Sequence, residues 1–432
     1  MAEPTRLAPY VFKVPIEKVR GGYYADKYFT RYVDILRKDN LHQQVVYQIF
    51  PRADAVVAGL DEACAILRCG AGYYIDETKA DKLFRDLLQI ENELALAEYR
   101  YDVQGIEGNT TRRMRIREEL MSLWVDKWDE IGVRALFDGD TAADREPILV
   151  IEGDPAYFGH LETLILGVIA RATSTATSVR KVVEASQGKP VIFFSARFDH
   201  HWVQATDGYA AFKAGAFGVS TDANADYWGS EAQGTIPHAL ISCYKGDTSA
   251  AAFAFDRHMP PSVNRLVLVD WENDCLGTTE KVVRDFYRHF TGKEFIPGKT
   301  DPAPVIGPGK GKIWGVRFDT SGNMRDVSVE PRDESSLGVS PELVWKARRR
   351  FDELGLKDLK IMVSGGFGTE KISLFEKLGV PVDMYGVGST LLKQKIDMTA
   401  DVVEVEGKPF AKVGRKKGDF SRLTSVNLNN GI

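Results

Sequence analysis

The chain has 432 residues, with 56 Lys and Arg against 61 Asp and Glu and a formal net charge of -5. That length exceeds a usual single domain and allows a large core beside a second, smaller unit, while the acidic balance, with no Lys/Arg-rich tail, gives no basic field for nucleic acid. The four cysteines are scattered with no CxxC or Cys/His ligand spacing, which points to reduced thiols in a cytoplasm rather than to disulfides or a zinc site.

The N-terminus lacks an apolar signal core, and the longest apolar stretch, near 163–170, is far too short for a membrane span, so neither export nor membrane insertion is expected. Residues 45–50, 56–57 and 65–67 read as antiparallel strand material, and 79–99 and 112–132 carry apolar residues at helical spacing. Residues 1–145 therefore read as an α+β domain. From 146 the texture changes to short β-branched or apolar runs at 147–152, 191–197, 216–222, 265–270, 312–319, 360–364 and 382–386. Between them lie helical stretches at 161–185, 201–214, 248–257, 278–290, 341–354 and 369–378, and a Pro/Gly-rich loop at 295–311. Buried parallel strands alternating with helices predict an α/β fold, an irregular TIM-like β/α barrel over 146–395. Residues 402–405 and 408–413 again have β character, so 396–432 are expected to return to the small domain.

In such a barrel the strand C-terminal ends build the active site, which places Glu152, Arg197, Asp222, Asp270, Asp319 and Ser364 at one mouth. Ser364-Gly365-Gly366-Phe367-Gly368-Thr369 and Tyr385-Gly386-Val387-Gly388-Ser389-Thr390 each follow a strand and open a helix. Two consecutive glycine turns with free backbone N–H groups suit a phosphate. His238, in the loop Gly234-Thr235-Ile236-Pro237-His238-Ala239-Leu240, could donate, accept or carry a phosphoryl group, or simply bond the backbone. Arg317 and Asp319 lie two residues apart at a strand end and so point the same way, as a plain salt bridge or as a cation for an anionic leaving group beside a carboxylate for sugar hydroxyls. Arg197, after Phe193-Phe194, offers a second cation. Asp270, Glu272 and Asp274 form either a solvated acidic turn or a cluster that reaches Mg²⁺ through water or substrate oxygens.

These residues resemble the nicotinate phosphoribosyltransferases, which share the type II phosphoribosyltransferase fold with the nicotinamide and quinolinate enzymes. The resemblance runs from Gly21-Gly22-Tyr23-Tyr24-Ala25-Asp26-Lys27-Tyr28 to the glycine turns near Leu391, through Ile151-Glu152-Gly153 with Glu162-Thr163, Ser195-Ala196-Arg197, Asp207-Gly208 and the His238 loop. It implies ATP-coupled transfer of 5-phosphoribosyl from phosphoribosyl pyrophosphate to nicotinate, giving nicotinate mononucleotide and pyrophosphate, with Mg²⁺ carried by the phosphates and no protein metal cage. By resemblance Phe194 and Tyr28 flank the pyridine ring, Tyr28 from across the interface of a homodimer or higher homo-oligomer. Arg197 and Arg317 hold pyrophosphate or the nicotinate carboxylate, and Asp319 binds ribose hydroxyls. Ser364, Gly365, Gly366, Gly386, Gly388 and Ser389 cradle the 5′-phosphate, and His238 is the histidine that ATP phosphorylates.

Two features depart from the family pattern. Arg317-Phe318-Asp319-Thr320-Ser321-Gly322-Asn323 is one residue longer than the usual Arg-x-Asp-Ser-Gly-Asp run and ends in an amide. Ser220-Thr221-Asp222 is closer to the nicotinamide enzymes, in which an aspartate accepts from the substrate amide. The nicotinate reading expects Asp222 to turn toward Arg197 or a sugar hydroxyl. The alternatives are a nicotinamide phosphoribosyltransferase, a quinolinate phosphoribosyltransferase, or a non-catalytic phosphosugar-binding barrel.

Overall fold

A computed structural model of the chain describes residues 5–428. Residues up to Ser174 and those from Lys395 onward form one compact unit; Thr175–Gln394 form the other. Among the described residues no helix is long and apolar enough to cross a membrane, and all four cysteines are free thiols.

The first unit is organised around an antiparallel sheet. Val45–Pro51 lies between Met398–Val405 and Leu149–Gly153, and the latter also pairs with Gly132–Ala135. The run at 147–152, read from the sequence as a barrel strand, therefore belongs here, so Glu152 does not end a barrel strand; it forms an ion pair with Arg134. A central strand with apolar residues on both faces has the same composition whether its neighbours are parallel or antiparallel, so periodicity could not separate the two. Residues 65–67, read as strand, lie in the helix Leu60–Gly70, where eight of eleven residues are buried and no polar stripe marks the helical period. The second long helix is also displaced from its reading at 112–132. It spans Val103–Leu123, begun by Asp102, whose carboxylate accepts the Gly105 N–H.

In the second unit six parallel strands run in the spatial order Leu266–Leu268, Gly315–Phe318, Lys360–Val363, Met384–Val387, Val191–Phe193, Gly218–Val219. The segment 233–236 bridges the two sheet edges: Gln233 N–H donates to the Val219 carbonyl at 2.8 Å and Ile236 N–H to the Leu266 carbonyl at 3.4 Å. The ring is thus completed by irregular backbone. Ile192, Leu266, Met362 and Met384 fill the interior, with Phe194 and Trp314 packed against them. The helices Gln204–Lys213, Thr248–His258, Cys275–Thr291, Pro341–Glu353 and Thr369–Lys377 lie within three residues of their readings. Beneath the Leu266–Leu268 strand, fully buried Arg265 donates to Asp256 Oδ1 at 2.7 Å and to the carbonyls of Met259 and Pro260, so an internal charge is paired and its donors are used.

Candidate functional site

Strand parity builds the centre of the site. Arg317 points into the barrel, and its guanidinium is held on three sides: Nη2 donates to Asp319 Oδ2 at 2.7 Å, Nε to Ser364 Oγ at 2.9 Å, and Nη1 to Thr235 Oγ1 at 2.7 Å. Ser364 Oγ donates in turn to Asp319 Oδ1 at 2.7 Å. Of the five guanidinium N–H donors three are engaged, leaving one on each terminal nitrogen. The same guanidinium lies 5.6 Å from the centroid of the Phe194 ring. A fixed cation beside an aromatic face is suited to a flat, negatively charged ring.

Thr235 was not singled out from the sequence, because a threonine in a Gly/Pro loop has no period to read. Its position follows from the bridging segment at 233–236. The hydroxyl of Ser364, a residue expected in the phosphate cradle, links Arg317 and Asp319.

His238 opens the short helix His238–Cys243, and its Nε2 lies 3.0 Å from Asp270 Oδ1 at the end of the Leu266–Leu268 strand. Burial and the nearby Asp319 charge raise the Asp270 pKa above the usual carboxylate value, against the stabilising imidazole. An aspartate behind Nε2 fixes that nitrogen as the proton-bearing one and leaves Nδ1 as the nitrogen with a free lone pair. Asp274 lies outside this arrangement, since its carboxylate caps the helix Cys275–Thr291 through the Gly277 N–H at 2.8 Å.

The two glycine turns differ in what they do. Gly365 and Gly366 adopt φ of 83° and 73°, and among the described residues no protein acceptor takes the N–H groups of Gly365, Gly366, Phe367 or Gly368. Gly368 then caps the helix Thr369–Lys377 without a side-chain cap. These are the free amides that an oxyanion requires. The second turn opens a 3₁₀ turn, Ser389–Leu392, instead of the expected α-helix. Gly386 sits inside its strand, where a Cβ would come within 2.7 Å of the Phe194 ring, and a Cβ on Gly388 would come within 2.7 Å of the Phe198 ring. Both glycines make room for an aromatic wall. Thr390 Oγ1 donates to the Phe367 carbonyl at 2.7 Å and ties the second turn to the first.

Among the described residues, the remaining sequence-derived residues make no hydrogen bond or ion pair with this network. Arg197 is exposed, with its guanidinium 5.2 Å from the Phe198 ring. Asp222 does not turn toward Arg197; its Oδ1 accepts the Ala232 N–H at 3.4 Å. Asn323 lies in an exposed turn with Ser321. Tyr28 belongs to the first unit, exposed on the helix Lys27–Lys38 and paired with Phe29. Among the described residues no three His, Cys, Asp or Glu side chains converge as a metal cage.

No family model matches the chain. It is 27% identical over 282 residues to a nicotinate phosphoribosyltransferase of Mycobacterium tuberculosis, pncB1, a match covering 64% of this chain and 54% of that protein. It is 23% identical over 256 residues to a nicotinate phosphoribosyltransferase of Bacillus subtilis, covering 59% of this chain and 44% of the relative. The chain thus spans about half the length of the curated relatives it matches. Among solved structures, nicotinate-nucleotide pyrophosphorylase from Pyrococcus furiosus superposes with a TM-score of 0.65 at 26% identity, over 96% of this chain and 85% of that one. Human nicotinic acid phosphoribosyltransferase shares the fold, with a TM-score of 0.58 at 17% identity over 90% of this chain and 76% of the human one. The chain, with one parallel-stranded unit and one antiparallel unit, has the type II phosphoribosyltransferase fold and is similar in sequence to nicotinate phosphoribosyltransferases over about half of their length.

Proposed function

We propose that the chain transfers a 5-phosphoribosyl group from phosphoribosyl pyrophosphate to the ring nitrogen of nicotinate, releasing nicotinate mononucleotide and pyrophosphate. The observation that carries this reading is the Arg317 guanidinium, fixed by Asp319, Ser364 and Thr235 beside the Phe194 ring. Phe194 offers a face to the pyridine, and the two free N–H donors of Arg317 take its carboxylate. The amides of the Gly365–Gly366 turn hold the 5′-phosphate. Asp319, whose oxygens each keep a lone pair, receives the ribose hydroxyls.

Bond breaking between the anomeric carbon and pyrophosphate leads the reaction, so the transition state is a cation-like sugar with charge moving onto the leaving group. Positioning and electrostatics then supply most of the rate, and no strong base is needed because the pyridine nitrogen attacks with its own lone pair. Exposed Arg197 receives the departing pyrophosphate. Asp270 and Asp319 are the carboxylates suited to holding Mg²⁺ through oxygen or water; when bound, the ion neutralises pyrophosphate charge. ATP coupling runs through His238, with Asp270 orienting its ring. The sites are completed by Tyr28 of a second copy in a homo-oligomer, and the four free thiols suit a reducing cytoplasm.

Product formation from phosphoribosyl pyrophosphate with nicotinate, nicotinamide and quinolinate in parallel tests the reading. Nicotinate mononucleotide should dominate. Turnover restricted to nicotinamide or quinolinate, or the absence of any pyridine nucleotide, would overturn it.

A further inference from the structure

We propose that the first unit carries a second ligand site, for a phosphate monoester of mononucleotide size, in the cavity lined by the helices Lys27–Lys38 and Glu77–Tyr99. The cavity holds about 520 Å³, within the range of small-molecule sites. Every residue lining it belongs to the first unit.

One cationic side chain lining this space keeps unused bonding capacity. Arg20 ends the helix Ile16–Arg20; its Nε donates to the Cys69 carbonyl at 2.8 Å and its guanidinium lies 4.4 Å from the Trp124 ring. Among the described residues its two terminal amino groups meet no acceptor. A guanidinium fixed at one nitrogen and stacked on an indole presents a preformed fork for an oxyanion. His160 is 6% exposed and neither ring nitrogen meets a hydrogen-bond partner; the Gly70 carbonyl is nearby without satisfying the geometry. Both ring nitrogens are closed off from the cavity, so His160 forms part of its wall and not a contact for the ligand. Burial, then the Arg37 charge, lowers its pKa to about 3, so it stays neutral and adds no charge to the cavity wall.

The charge balance selects an anion. Asp34 and Glu77 are engaged by Lys38 at 3.4 Å and by Arg37 at 3.3 Å. Glu17 and Asp126, near Arg20, are taken by Arg117 and Arg68. Arg20, Lys27 and Arg31 then face Asp81 as the one lining carboxylate without an ion-pair partner among the described residues. The surplus of two positive charges matches the roughly -2 charge of a phosphate monoester. Tyr74, Phe84 and Trp124 supply apolar wall for the organic part.

Calorimetric titration of the full chain with AMP, ribose 5-phosphate, adenosine and inorganic phosphate tests the site. AMP should bind wild type and Arg317→Ala alike, since Arg317 belongs to the barrel, and more tightly than inorganic phosphate or adenosine. Arg20→Gln should weaken AMP by about a hundredfold and exposed Arg31→Gln by about fivefold, as expected for losing a buried fork and an edge charge. Arg31→Gln preserves the test if Arg20→Gln does not fold. No AMP binding at millimolar concentration, equal affinity in wild type and Arg31→Gln, or binding of inorganic phosphate as tight as that of AMP overturns the proposal. Because Arg20 and Arg31 line the first-unit cavity and take no part in the proposed transfer, AMP affinity that neither substitution changes overturns this site without bearing on the transferase reading.

Discussion

Nε2 of His238 lies 3.0 Å from Oδ1 of Asp270, joining an imidazole whose side chain is 44% exposed to a carboxylate that is 6% exposed. The ring is open to solvent, as the proposed phosphorylation by ATP requires, while the buried acid dictates which nitrogen keeps the proton. His238→Ala should abolish ATP hydrolysis in step with product and lower turnover without unfolding the chain. Asp270→Asn, which removes the orienting charge, should slow phosphoryl transfer to the protein by on the order of a hundredfold. Labelled phosphate from ATP retained on the His238→Ala protein at wild-type levels would sink this assignment.

Arg317 and Asp319 act as one unit with Ser364. Arg317→Ala and Asp319→Ala should each cost on the order of 3 kcal/mol of barrier, roughly a hundredfold in kcat/KM, because a preorganised charge in a water-poor site is lost. The Arg317→Ala/Asp319→Ala double variant should lose much less than the product of the two single losses, since the groups are in contact. Near-normal rates for both single variants at saturating phosphoribosyl pyrophosphate would leave only a structural salt bridge.

Gly386→Ala places a methyl group about where the Phe194 ring now sits, 2.7 Å from a Cβ at that position. Overpacking of this kind destabilises by about 1–3 kcal/mol. The variant should show a lowered Tm and a raised KM for the pyridine while the KM for phosphoribosyl pyrophosphate changes little. An unaltered pyridine KM would mean that Phe194 does not form the base-binding wall.

Asp222 tests which pyridine is used. Its carboxylate at about 4 Å from that of nicotinate would cost about 4 kcal/mol at an effective dielectric near 20; the bond to the Ala232 N–H gives it another role. The kcat/KM ratio of nicotinate over nicotinamide should exceed one in the wild type and change little in Asp222→Asn. A wild-type ratio well below one that rises sharply in the variant would favour nicotinamide.

Glu162 in the first unit predicts a pH effect on stability. Burial pushes its pKa up to about 7, against the hydrogen bond from the Tyr47 hydroxyl, with Asp401 and Asp26 adding to the rise. A raised acid favours the protonated native state, so its stabilisation is present below the ordinary glutamate value and is lost as pH rises through 7. Relative to wild type, Glu162→Gln should gain about 1 kcal/mol between pH 5 and pH 8, a figure reduced for partial solvent screening. A difference in Tm that stays flat over that interval would refute it.

Local chemistry made much of this chain legible before any coordinates. The helices of the second unit, the Arg317/Asp319 parity, the Gly365–Gly366 turn and the strand-end position of Asp270 all follow from spacings within a few residues, set by steric periods of two and 3.6. What the sequence could not decide was which elements meet. A continuous apolar run such as 147–152 fits either sheet, and only its partners, Val45–Pro51 and Gly132–Ala135, assign it and Glu152 to the sheet of the first unit. Thr235 reaches Arg317 from 82 positions away because backbone at 233–236 bridges the barrel edges, and Gly386 is required by the distant Phe194 ring. Such contacts depend on chain closure over long separations and on the excluded volume of neighbouring side chains, neither of which is encoded in any local period.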